Sequence, residues 1–125
     1  MWKQWILIFV GGGLGSLLRF ALGQLINPTT NGFPWATFTA NLLGCFLFGL
    51  LGGWLLHSGT LKTEGTLLLL VGFCGGLTTF STFMNDNYQL INAQSFTTLL
   101  LYSLASLLLG MLFLFLGFWL TKTRF

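Results

Sequence analysis

Charge is what this sequence has least of. Only 6% of its 125 residues are charged, two acids and five bases, against about 25% in a typical soluble domain. Seven charges cannot cover the surface of a soluble fold of this size. With 54% hydrophobic residues and a mean hydropathy of +0.84, lipid is the solvent the composition calls for. Histidine occurs once (His57) and cysteine twice (Cys45, Cys74). Two isolated thiols inside apolar segments give no CxxC and no metal spacing, and they read as small buried residues. The net charge of +3 is dispersed, with no basic stripe and no nucleic-acid motif, so no nucleic-acid partner is expected. Glu64 and Asp86 lie far apart at helix ends and make no catalytic pair. Gly11-Gly12-Gly13 is not followed by a nucleotide-binding pattern. The sequence predicts no enzyme.

What is present is four long apolar runs, at about 4–26, 34–56, 65–88 and 95–120. Each reaches the ~20 residues that cross hydrocarbon at 1.5 Å rise. The chain is therefore expected to be one all-α integral membrane domain over 1–125. The first run holds Arg19 and no small-residue cleavage site, so it is read as a retained helix rather than a signal peptide. Asn27-Pro28-Thr29-Thr30-Asn31-Gly32 supplies a turn. Pro34 suits a first helical turn. His57 to Glu64 makes the second loop. Asn85, Asp86, Asn87, Asn92 and Gln94 are assigned to the third. Four spans leave both termini on one side. Lys3, Lys62, Lys122 and Arg124 share it, which favours cytoplasmic termini. Recurring glycines in the first three spans predict close helix packing and an oligomer.

The most unusual stretch is Gly72-Phe73-Cys74-Gly75-Gly76-Leu77-Thr78-Thr79-Phe80-Ser81-Thr82-Phe83. Paired glycines followed by Thr-Thr favour unwinding within the third span. Freed backbone groups are tolerated in a membrane only against protein, an ion or a water-filled cavity. The stretch is thus either an ion or substrate site or a packing face with hydroxyls bonded back to the preceding turn. Phe80 and Phe83, three apart, share a helix face with Ser81 and Thr82 between them. Their positive ring edges would favour an anion, and two core or lipid-facing rings are the plain alternative. Asn41, one turn after Thr37, is either interhelical glue or a donor to a permeating anion. Arg19, the only charge well inside a span, marks an anion vestibule or snorkels to an interface. Tyr102 and Ser106, an i, i+4 pair continued by Gly110, form a polar track or simple interhelical bonding.

Those motifs resemble the small bacterial fluoride channels. The likeness rests on Gly12 through Arg19 (Gly-Gly-Leu-Gly-Ser-Leu-Leu-Arg), on Thr37 with Asn41 and Gly44, and above all on the third-span stretch. It covers the whole chain in length, span count and motif order. It implies a fluoride-selective passive channel in the bacterial inner membrane that lowers cytoplasmic fluoride. It further implies an antiparallel, dual-topology homodimer with two pores built from both subunits, embedded in lipid. By position, Phe80 and Phe83 would line the pore and Asn41 would be a pore donor. Ser81 and Thr82 would be nearby hydroxyls, Tyr102 and Ser106 the polar track, and Arg19 and Thr37 a vestibule. The backbone carbonyls of Gly75 and Thr78 would hold one structural sodium at the dimer centre. Family members often place serine where this chain has Gly110. Amide, hydroxyl and ring-edge donors suit fluoride, a small, strongly hydrated acceptor, better than a trapping charge would.

Two other classes frame the expectation. A small proton-coupled multidrug exporter needs a titratable carboxylate inside a helix, and the first helix has none. A non-conducting assembly subunit explains the glycine faces but not the hydroxyl-rich stretch.

Overall fold

The computed structural model describes residues 1–26, 32–59 and 63–124, apart from the side chains of Thr123 and Arg124. Most of the predicted first turn (Asn27 to Asn31), Lys62 and the Arg124 side chain lie outside the described residues. The described residues are all-helical. The elements are α1 (Trp2–Leu25), α2 (Trp35–His57), a π-helical segment (Thr66–Cys74), α3 (Gly75–Leu77), α4 (Phe80–Asn92) and α5 (Phe96–Arg124). Trp2–Leu25, Trp35–His57, Thr66–Asn92 and Phe96–Lys122 are each long and apolar enough to cross a membrane. The chain is a multi-pass membrane protein.

The tryptophans mark where the spans meet water. All five (Trp2, Trp5, Trp35, Trp54 and Trp119) stand near helix ends with exposed rings, where an amphipathic ring sits at headgroup level. Trp35 and Trp54 bracket α2. Their nineteen-residue spacing corresponds to about 28 Å, close to the hydrocarbon thickness. On the side of Trp54, the exposed Lys3 and Glu64 pair at 2.6 Å, joining the start of α1 to the start of the third span.

Glycine seams hold the bundle together. α1 packs on the first half of the third span, and α2 packs on α5, each pair running parallel. A Cβ at Gly11 would strike the Leu68 carbonyl, one at Gly15 the Phe73 carbonyl, and one at Gly76 the Gly12 carbonyl. In the second seam, a Cβ at Gly49 would strike the Leu114 carbonyl and one at Gly117 the Phe46 carbonyl. Lipid gives helices no hydrophobic reason to associate, so backbone-to-backbone approach is what stabilises these pairs. Phe38, Phe83, Leu90 and Tyr102 form one buried cluster, and Leu55, Leu70 and Cys74 a second.

Two expectations need correction. The unwinding does not occur at the paired glycines: Gly75 is helical, with φ −63° and ψ −36°. The helix stops at Thr78 (φ −82°, ψ 153°) and Thr79 (φ −149°, ψ 123°), both extended. Gly76 is absent a side chain because α1 lies against it, not because the backbone must turn there. The residues assigned to the third loop are also mostly helical. Asn85, Asp86, Asn87 and Asn92 belong to α4, and only Ala93 to Ser95 separate it from α5. Their polarity misled because it is spent on α5: Tyr102 donates to Asp86 at 2.9 Å, and Ser103 to Asn87 at 3.1 Å. The other boundaries shift by only a few residues.

Candidate functional site: a groove at the interrupted third span

An interruption inside a span leaves peptide groups without helical partners. Named side chains claim several of them. Asn41 holds Thr79 from both sides: Thr79 N–H donates to Asn41 Oδ1 at 2.7 Å, and Asn41 Nδ2 donates to the Thr79 carbonyl at 3.2 Å. Arg19 Nε donates to the Gly76 carbonyl at 3.1 Å, and Ser16 reaches the same oxygen at 3.5 Å. The Cys74 carbonyl accepts from Thr78 N–H (3.0 Å) and Thr78 Oγ1 (2.9 Å). Thr79 Oγ1 caps α4 by accepting from Thr82 N–H at 3.2 Å, and donates to Thr82 Oγ1 at 3.1 Å. Ser81 Oγ lies 3.4 Å from Thr79 Oγ1. Among the described residues, no donor meets the carbonyls of Gly75 or Thr78.

Beside the interruption runs a groove of about 420 Å³. Asn41, Gly44 and Cys45 of α2 form one wall. Thr78, Thr79, Phe80 and Phe83 form the second, and Ser106 of α5 closes it. Phe80 and Phe83 stand 6.1 Å apart with rings tilted by 38°. They are unequal: Phe83 is 8% exposed, whereas Phe80 is 73% exposed and faces out of the chain. Among the described residues, Ser106 Oγ is buried without a hydrogen-bond partner, which is costly unless something else fills that role. On the other side of the interruption is a second cavity of about 450 Å³. Arg19, Gln24, Thr37, Thr79 and Thr82 line it.

The structure thus brings together Asn41, Phe80, Phe83, Thr78 and Ser106, with Gly75 at the same groove. It groups Arg19, Thr37 and Thr82 in the other cavity. The i, i+4 pair on α5 is divided. Ser106 lines the groove, while Tyr102 is fully buried among Phe33, Phe38 and Phe83. There Tyr102 donates to Asp86. Sequence reasoning missed three contributors. Thr79 follows an N-cap pattern, hydroxyl residue before a new helix, but the helix start was hidden inside one apolar run. Ser16 sits one turn before Arg19. Cys45 sits one turn after Asn41, on the same face. Among the described residues, no three His, Cys, Asp or Glu side chains gather, so a metal would have to be held by other oxygens.

Comparison with known proteins gives a consistent result. Residues 6–118 match the family described as "CrcB-like protein, Camphor Resistance (CrcB)". The "Fluoride-specific ion channel FluC" of Azobacteroides pseudotrichonymphae is 42% identical over 98% of both chains. The protein of the same name from Phocaeicola vulgatus is 40% identical over 96% of this chain and 99% of its own. A third, from Thermus thermophilus, is 42% identical over 93% of each. With a match spanning all four helices and relatives of nearly equal length, the chain belongs to the CrcB-like family.

Proposed function

We propose that this protein is a fluoride-specific channel that lets fluoride leave the bacterial cytoplasm passively, working as an antiparallel homodimer in the inner membrane. It is a channel, not an enzyme. The carrying observation is the interrupted span facing an open groove. Extended backbone whose Gly75 and Thr78 carbonyls meet no donor among the described residues is a poor surface for lipid, because hydrocarbon offers no hydrogen bonds. A second copy laid over the groove covers them and leaves a narrow polar path between the two chains.

Depth supports the antiparallel arrangement. Thr78 Cγ2 packs where a Gly44 Cβ would be, and Gly44 lies nine residues from Trp35 and ten from Trp54. At 1.5 Å per residue these are about 13 Å and 15 Å, so Thr78 lies near mid-depth. Two copies inserted in opposite directions share only the mid-plane. Groups meant for use by both belong there.

Fluoride loses its water only where close donors replace it. Phe80 and Phe83 offer ring edges. Asn41 has one amide N–H left after its bond to Thr79. Ser106 offers a hydroxyl, Ser81 and Thr82 further hydroxyls at the start of α4, and that helix N-terminus adds a positive potential. Arg19 and Thr37 line the aqueous approach. Tyr102 takes part through the α4–α5 contact, since Asp86 already accepts its proton. The free carbonyls of Gly75 and Thr78 fit a hard cation that prefers oxygen ligands. Contributed by both copies, they would hold a sodium ion, which would supply positive charge between the two paths.

The exporter reading loses its one candidate carboxylate. Asp86 is helical, but it lies seven residues beyond Thr79 and so about 10 Å further toward the Trp35 level. Its carboxylate is bonded to Tyr102 rather than free in the groove. Efflux from liposomes carrying the purified dimer tests the proposal: fluoride should leave and chloride should not. A folded dimer that passes no fluoride would sink it. Density for a cation on the dimer axis, bound by both chains, is the direct check on sodium.

A further inference from the structure

Two side chains at one-turn spacing on α2 face the groove, opposite a serine and a glycine at the same spacing on α5. On α2, Asn41 and Cys45 are four residues apart and share a face. On α5, Ser106 and Gly110 do the same. Asn41, Cys45 and Ser106 all line the groove. Gly110 brings no side chain. Among the described residues, the one atom beyond its own helix within 4 Å of a Cβ placed there is Cys45 Sγ, at 3.6 Å, an ordinary contact. The space left at Gly110 therefore belongs to the thiol across from it. The buried, unpartnered Ser106 hydroxyl one turn away is an independent sign that this stretch of the groove receives a hydrogen-bonding guest. Cys74 lines the same groove, but it is 1% exposed and packed with Leu55 and Leu70. Cys45 is half-buried and reachable.

The geometry points to Cys45 as a residue of the ion path, its thiol standing one turn beyond Asn41 where Gly110 leaves room. This deepens the channel reading and rests on it. An S–H group is a weak donor and a soft, polarisable one. It lets a small anion pass without holding it as a hydroxyl would. It also makes the path open to small thiol-directed electrophiles, which a hydroxyl-lined path is not.

Methyl methanethiosulfonate is a suitable probe, being small and uncharged. The Cys45 thiolate attacks its sulfenyl sulfur, a disulfide forms, methanesulfinate leaves, and the thiol proton goes to water. Intact mass and peptide mapping of the dimer in liposomes should show one methylthio group on Cys45 and none on Cys74. Fluoride should slow the modification several-fold and chloride should not. The modified channel should lose efflux and regain it with dithiothreitol. Cys45→Ser should be insensitive to the reagent. Gly110→Ser fits without collision and should slow labelling several-fold by filling the space.

Three results would overturn the assignment: Cys45 unmodified in the folded dimer, modified equally fast with fluoride present, or modified with efflux unchanged. Should the untreated protein carry no fluoride, the channel reading fails instead. Labelling of Cys45, and its slowing in Gly110→Ser, still decides whether the thiol faces an open path.

Discussion

The glycines of the helix seams and two others, Gly75 and Gly110, look alike in sequence and behave oppositely in space. At Gly11, Gly15, Gly76, Gly49 and Gly117 a methyl group would meet backbone. These positions are small because a neighbouring helix of the same chain occupies the room. At Gly75 the nearest atom to a built Cβ is the Leu70 carbonyl at 3.9 Å, and at Gly110 the nearest is Cys45 Sγ at 3.6 Å. Nothing within the chain requires glycine at either place. On the dimeric channel reading proposed above, a second copy would take up the room at Gly75 and a passing ion that at Gly110.

That contrast can be broken in order of expected effect. Gly15→Ala and Gly76→Ala drive a methyl group into rigid backbone. Each should cost about 1–3 kcal/mol or more, read as a lower melting temperature and loss of the folded species in detergent. Unchanged melting would mean the seams are looser than drawn. Asn41→Leu strands both peptide groups of Thr79, at about 1–3 kcal/mol for each unsatisfied group. It should lower stability and fluoride efflux together, and full efflux with normal melting would remove the clamp from the account. Phe80→Ile and Phe83→Ile should sharply reduce efflux with the dimer intact, the more cleanly at exposed Phe80. Gly75→Ala should leave each chain folded and weaken the dimer, seen by light scattering across a dilution series. If it instead melts like Gly15→Ala, the two glycine classes are one. Gly110→Ser is the smallest change, within about 0.5 kcal/mol in stability.

Much of this was legible beforehand. Helix number and position follow from length and apolarity, which no tertiary detail overrides in lipid. Phe80, Phe83, Asn41 and Ser106, singled out by helical spacing, come to line one groove because residues at that spacing share a face wherever the helix lies. The errors arose where a residue had two physical meanings. Gly76 could loosen a helix or admit a neighbour, and only the position of α1 decides. Asn85, Asp86 and Asn87 look like loop residues until Tyr102 and Ser103 stand beside them. Tyr102 and Ser106 share a face of α5, yet that face is wide enough for one to enter the core and the other the groove. The π-helical winding of Thr66–Cys74 leaves no mark in its apolar sequence that we can identify.

The amide of Asn41 grips one extended residue much as an adjacent strand would, giving an acceptor to its N–H and a donor to its carbonyl. This pairing has a consequence for how the third segment sits in lipid. On either side of Thr78 and Thr79 it consists of two helices, neither long enough alone to cross a bilayer, which together make one apolar span of 27 residues. The joint between them is stitched not by its own helix but by a side chain of α2, so the second segment supplies a backbone pairing that the third cannot make for itself.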